Sequence, residues 1–188
     1  MTIKVTFSLL TILFWVLITL YWIISVRHVG KDHRGNEIFS FIKLIGSALL
    51  IYVPLLTSRF IAFKLYEPNY AIATAGTVLC ITGLLIMIWA REHLGKNRSR
   101  NIVIQQEHSL STSGPYRYVR HPVYSGCLLS MFASALIVGQ VFSFIWVIIC
   151  VYGLSLKSQQ EEELLTEQFP DEYPAYKEKV KMLIPYIW

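Results

Sequence analysis

Between His108 and Tyr124 the chain reads His-Ser-Leu-Ser-Thr-Ser-Gly-Pro-Tyr-Arg-Tyr-Val-Arg-His-Pro-Val-Tyr. Two arginines, two histidines and three tyrosines share this stretch with Gly114, Pro115 and Pro122, between long apolar runs. Pro122, following Arg120-His121, predicts a helix start, since proline is tolerated in a first turn where its missing N–H is not needed. The N–H groups just beyond it have no carbonyl partner within the helix and can point at a ligand. The same residues also suit a plainer role, a basic turn against anionic headgroups with tyrosines anchoring the interface. Composition alone does not separate a binding site from a membrane anchor.

The elements that must position this stretch are apolar. Of 188 residues 54% are hydrophobic and 15% charged, and the mean hydropathy is +0.49, which places the chain among membrane proteins. Its formal charge of +5 does not indicate nucleic acid, because the basic residues flank apolar segments and lack zinc-finger or RNA-motif spacing. Cys80, Cys127 and Cys150 show no paired spacing for a metal site or a disulfide framework, so no metal is expected. Val5–Val26 is long enough to cross a bilayer and carries Trp15, Tyr21 and Trp22 with no small-residue cleavage site, so it is expected to be a retained span rather than a leader. Phe39–Phe63 is a second run, with Lys43 and Arg59 towards its ends and Pro54 inside it. Tyr70–Trp89 is a third, with Gly76 and Gly83 allowing close helix packing.

From Arg91 to Arg120 the chain turns polar, and Gly95, Asn97, Ser99 and Asn101 predict an ordered loop or a short interfacial helix. Val123–Leu156 is apolar but broken at Gly139-Gln140, which predicts a tight hairpin of two short spans. Ser155–Lys181 is expected to emerge into water and end in a closing segment. With five spans, most of the 17 basic residues fall on one side and only Lys4, Arg59 and Lys64 on the other. The positive-inside rule then places the N-terminus outside and the long loop and tail in the cytoplasm.

Several motifs in order carry a resemblance. His108-x-Leu110-x-Thr112-Ser113-Gly114-x-Tyr116, then Arg120-His121-Pro122-x-Tyr124-x-Gly126, then Glu161-Glu162-x-x-Leu165-x-x-x-Phe169 with Tyr173, Tyr176 and Ile184-Pro185, resemble the isoprenylcysteine carboxyl methyltransferase family of integral membrane enzymes. Arg91 with Leu94-Gly95-Lys96 fits upstream. The match covers roughly the second half of the chain.

The resemblance implies methyl transfer from S-adenosylmethionine, an in-line displacement in which the protein aligns donor and acceptor and excludes water. A carboxylate acceptor is already ionised and needs a cation to orient it, whereas an amine must first lose a proton. No Gly-x-Gly-x-x-Gly stretch is present, so the doubly wound dinucleotide-type design is excluded. Carried over from the family, the cofactor-binding positions are His108, Ser109, Leu110, Ser111, Tyr116, His121, Pro122, Val123, Tyr124 and Glu161, with Glu162 the alternative carboxylate. Arg120 and Lys157 are the expected catalytic residues, and Lys157 the substrate-binding one. Lys157 stands where the family has arginine, which supplies charge without a bidentate fork. Pro170, where glycine is usual, is a second departure. His28 and His33 have the simpler reading of surface histidines.

The expectation is therefore a single domain over residues 1–188, all-α and integral to the membrane, with about five transmembrane helices. Residues 1–90 would supply three spans, and 91–188 the cofactor loop, the helical hairpin and a C-terminal segment closing a cytoplasmic cofactor site. The expected activity is carboxyl O-methylation of a C-terminal S-isoprenylcysteine or a similar lipid-linked carboxylate, at the membrane and without nucleic acid. The alternatives are N-methylation of a phosphatidylethanolamine-type lipid and a non-catalytic relic of the fold.

Overall fold

The apolar stretches that the structure describes all form helices, as expected of chain that must satisfy its backbone hydrogen bonds internally. The computed structural model describes residues 3–27, 63–99 and 110–188. Among them lie α1 (Ile3–Arg27), α2 (Tyr70–Ser99), a 3-10 turn (Gly114–Arg117), α3 (Pro122–Val138), α4 (Val141–Gln168) and α5 (Glu172–Lys179). No strand occurs among these residues, and the extended pairing is limited to isolated bridges at Lys64 with Gln140 and Val119 with Lys181. Tyr70–Leu94 and Val141–Gln168 are long and apolar enough to cross a membrane, while Leu9–Tyr21 and Pro122–Val138 are shorter apolar helices. Leucines and isoleucines such as Leu13, Leu85 and Ile148 stay exposed on them, which suggests a membrane protein. The expected second span, Phe39–Phe63, lies outside the described residues except for Phe63.

α1 covers the run read from Val5 to Val26. α3 opens at Pro122, as the proline predicts, and the break at Gly139-Gln140 is the hairpin turn. Gly139 ends α3 with a positive φ of 68°, a conformation that costs glycine little. α2 departs from expectation at its C-terminal end. It runs on through Arg91–Ser99, so the start of the stretch expected to be an ordered loop or a short interfacial helix instead continues α2. At its start Asn69 Oδ1 accepts the Ile72 N–H at 2.9 Å, a side-chain cap.

The described residues form two compact units, one of residues 1–78 with 131–147 and the other of 79–130 with 148–188. In the first, Thr11, Trp15 and Ile18 give α1 a buried stripe, and Trp15 Nε1 donates to Ser134 Oγ at 3.0 Å. The Gly139 carbonyl accepts the Leu65 and Tyr66 N–H groups at 3.0 and 3.3 Å. In the second, a Cβ added at Gly83 would lie 2.5 Å from the Gly126 carbonyl oxygen, so α2 and α3 touch backbone to backbone there. Gly83 thus packs as its place in the third run predicts. Tyr173, Leu183 and Ser158 are among this unit's fully buried side chains, and all the described candidate site residues belong to the unit.

Candidate active site

Arg120 and His121 are fixed before any side chain is considered, because the closing segment pairs with their backbone. The Arg120 N–H donates to the Lys181 carbonyl at 2.8 Å and the His121 N–H to that of Met182 at 3.1 Å. Ser125 Oγ, one turn into α3, donates to the Leu183 carbonyl at 2.6 Å. Tyr176 of α5 donates its hydroxyl to the Tyr116 carbonyl at 2.5 Å. The C-terminal segment is therefore bonded along the whole motif, from the 3-10 turn to the first turn of α3.

Successive residues of a helix point about 100° apart, and the two motif glutamates of α4 consequently meet different surroundings. Glu162 faces inward with its side chain 2% exposed. Its Oε1 accepts from Arg120 Nε at 2.7 Å and lies 3.3 Å from His121 Nε2, while Oε2 pairs with Lys177 Nζ at 2.9 Å. A carboxylate only accepts, so His121 Nε2 carries a proton in this arrangement. Arg120 Nη1 also donates to the carbonyls of Lys177 and Val180. Glu162 lies six residues past Leu156, the end of the apolar run, and so about 9 Å along the helix beyond the stretch apolar enough to lie in lipid. Burial pushes its carboxyl up, but hydrogen bonds from His121, Arg120 and Lys177 outweigh this and hold it at about 2.

Glu161 is at the rim, its side chain 40% exposed. The Tyr124 hydroxyl donates to its Oε1 at 2.6 Å, His121 Nδ1 lies 3.6 Å from its Oε2, and Lys157 Nζ is 3.9 Å from Oε1. Lys157 also sits 5.0 Å from the centroid of the Tyr124 ring, and that ring stacks on His121 with planes 8° apart. His121 is thus the hinge of the cluster, one nitrogen towards each glutamate. Tyr116 is half-buried on the 3-10 turn. Burial, and then the negative charge of Glu161, push its hydroxyl up to about 12, so it stays protonated at neutral pH.

The structure brings together Tyr116, Arg120, His121, Pro122, Tyr124, Lys157, Glu161 and Glu162 as the motifs predict. Val123 shares the first turn of α3, and Leu110 and Ser111 lead into the 3-10 turn, all three half-buried. His108 and Ser109 lie outside the described residues. Arg120 is committed inside the protein, its side chain only 8% exposed. Lys177 as a partner of Glu162 is not marked by any spacing in the sequence, whereas Tyr176 belongs to the motif and the structure adds its bond to Tyr116. No group of three or more histidine, cysteine or acidic side chains suited to a metal occurs among the described residues.

A family model described as phospholipid methyltransferase matches residues 71–172, more than half of the chain and all of this cluster except its C-terminal contacts. The chain belongs to that family. Protein-S-isoprenylcysteine O-methyltransferase B of Arabidopsis thaliana is 23% identical over 167 residues, which are 87% of this chain and 84% of that one. Methanethiol S-methyltransferase 1 of Bradyrhizobium diazoefficiens is 29% identical over 136 residues, 67% of this chain and 46% of that protein, so the chain spans under half of its length. The protein-S-isoprenylcysteine O-methyltransferase of Schizosaccharomyces pombe is 32% identical over 83 residues, 44% of this chain and 35% of the relative. The resemblance read from the motifs is borne out by these relatives.

The family implies a methyl donor; S-adenosylmethionine, the donor that the motif resemblance implies, carries an ammonium and a sulfonium, so a site that fits it would offer a carboxylate with acceptor capacity left. Glu161 fits. It accepts one short hydrogen bond, from Tyr124, out of the roughly four an ionised carboxylate can take, and it is open to solvent.

Proposed function

We propose that this protein is a membrane methyltransferase that uses S-adenosylmethionine to methylate the carboxylate of a C-terminal S-isoprenylcysteine or a similar lipid-linked acid. The observation that carries the reading is the pair of half-exposed opposite charges at the rim, Glu161 and Lys157, 3.9 Å apart. Glu161, held in place by Tyr124, is the anion for the cofactor's ammonium. Leu110, Ser111, Tyr116, His121, Pro122, Val123 and Tyr124 line the rest of that cradle, and the resemblance adds His108 and Ser109 to the cofactor-binding positions. Lys157 supplies the cation that orients the acceptor. When bound, the cofactor supplies an activated methyl group on a positively charged sulfur. The chain's own residues align the two reactants and keep water out, with no proton to move for a carboxylate. Arg120 acts from inside, fixing Glu162 and the closing segment.

The named relatives support this reading, since two that match most of the chain are protein-S-isoprenylcysteine O-methyltransferases. The family description favours a second acceptor, the amine of a phospholipid. Lys157 argues against it, because a cation beside the acceptor repels an ammonium and hinders its approach. The proposed frame is a multi-pass membrane protein with an extracytoplasmic N-terminus and the site in the cytoplasm. Incubation of the solubilised protein with methyl-labelled S-adenosylmethionine and a farnesylcysteine analogue tests the reaction. Base-labile label in the analogue is expected. Base-stable label in phospholipid headgroups, or no cofactor binding at all, would overturn it.

A further inference from the structure

His93 stands apart from every motif residue assigned above, yet one face of the motif is built against it. The polar extension of α2 beyond Trp89 carries it to the 3-10 turn. His93 Nε2 lies 2.8 Å from Ser113 Oγ, twenty residues further along the chain. Its ring lies flat against Gly114, where an added Cβ would come within 2.8 Å of both Cε1 and Nδ1. Gly114 also has a φ of +61°, so its missing side chain serves both the backbone turn and the ring beside it. The His93 and Tyr116 rings are 6.4 Å apart with planes 32° from parallel. One imidazole therefore contacts a hydroxyl, an absent Cβ and an aromatic ring in a single four-residue turn.

We infer that His93 is a positioning residue that fixes the Ser113–Tyr116 turn and thereby sets the affinity of the site for S-adenosylmethionine. The inference rests on the proposed function, which places Tyr116 and the residues before the turn around the cofactor. His93 touches neither reactant in this account. Its loss raises the cost of ordering the turn when the cofactor binds, which weakens binding and leaves the rate at saturation alone.

The test is calorimetric titration of the full-length, detergent-solubilised protein with S-adenosylmethionine, beside the rate of farnesylcysteine methylation at saturating cofactor. His93→Ala and Ser113→Ala should each weaken cofactor binding by roughly fivefold to tenfold, the scale of one lost hydrogen bond, with the saturated rate within about twofold. The double variant should be no worse than either single one, since both remove the same contact. His93→Gln, which keeps a donor and acceptor near Ser113, should recover part of the affinity and also covers the case in which alanine at 93 does not fold. Wild-type affinity in His93→Ala, or losses that multiply in the double variant, would overturn the inference while leaving the enzyme reading intact. Failure of the unaltered protein to bind cofactor would defeat the proposed function, and the inference with it.

Discussion

Glu161 and Glu162 are the same amino acid, one residue apart on one helix, and they occupy opposite environments. Glu162 has a 2% exposed side chain and three cationic or imidazole donors around it. Glu161 is 40% exposed, with one tyrosine hydroxyl donating to it. A carboxylate saturated with internal donors is a structural tie, because anything binding it would first have to displace buried charges. A carboxylate with one short hydrogen bond, two longer contacts and an opening to water can receive a ligand. Under the proposed function Glu161 recognises the cofactor while Glu162 holds the fold, so a substitution at one should not reproduce the effect of the other.

The largest expected effect comes from removing the tie. Glu162→Ala leaves the nearly buried Arg120 without its carboxylate, and breaking one side of such a pair typically costs about 3–5 kcal/mol. Thermal unfolding of the purified protein should show a large drop, whereas Glu161→Ala should unfold within about 1 kcal/mol of wild type, the range of an exposed polar site. Equal drops for the two variants would break the comparison.

Acid should act through the same group. The Glu162 carboxyl is held at about 2 in the folded protein against an ordinary 4.5. A depressed carboxyl stabilises the fold fully above its unfolded value, and that contribution is lost as pH falls from about 4.5 towards 2. Denaturation followed across that window should show wild type losing more stability than Glu162→Gln, which has no carboxyl to titrate there. Parallel losses would assign the acid sensitivity to other groups.

A smaller effect sharpens the rim. Lys157 is half-exposed beside Glu161, so Lys157→Ala should lower turnover of a carboxylate acceptor about tenfold, near 1.4 kcal/mol, and leave cofactor affinity within about twofold. Lys157→Arg should retain turnover, since arginine keeps the charge and adds a fork suited to a carboxylate. Initial rates per folded molecule, measured beside cofactor titrations, read both. Unchanged turnover in Lys157→Ala would make the residue a snorkelling anchor.

Much of the fold was legible from hydropathy and punctuation. The runs at Val5–Val26 and Tyr70–Trp89, Pro122 as a helix start and Gly139 as a hairpin turn each follow from a local rule, and the structure has them. Between the loop and the short helix that Arg91–Ser99 allowed, the sequence did not decide, nor did it show that the helix continues α2, because Gly95, Asn97 and Ser99 are loop-favouring while Arg91, Glu92, Leu94 and Lys96 between them are good helix formers. That the described motif residues would cluster was legible through their spacing. The division of labour between the glutamates was not, since it depends on helix phase against a folded partner. The one local hint is that Ser155, Ser158 and Glu162, at i, i+3 and i+7, share a buried face. Lys177 and His93 left no such hint, for their contacts come from the C-terminal segment and from the α2 extension, which only the folded chain brings near.

The most direct measurement is the affinity of Glu161→Gln for S-adenosylmethionine, titrated on the detergent-solubilised protein with its unfolding temperature recorded in parallel. The substitution keeps the shape and the Tyr124 hydrogen bond but removes the charge proposed to receive the cofactor's ammonium. The account predicts at least a tenfold loss of affinity with the unfolding temperature unchanged, and wild-type binding in Glu161→Gln would contradict it.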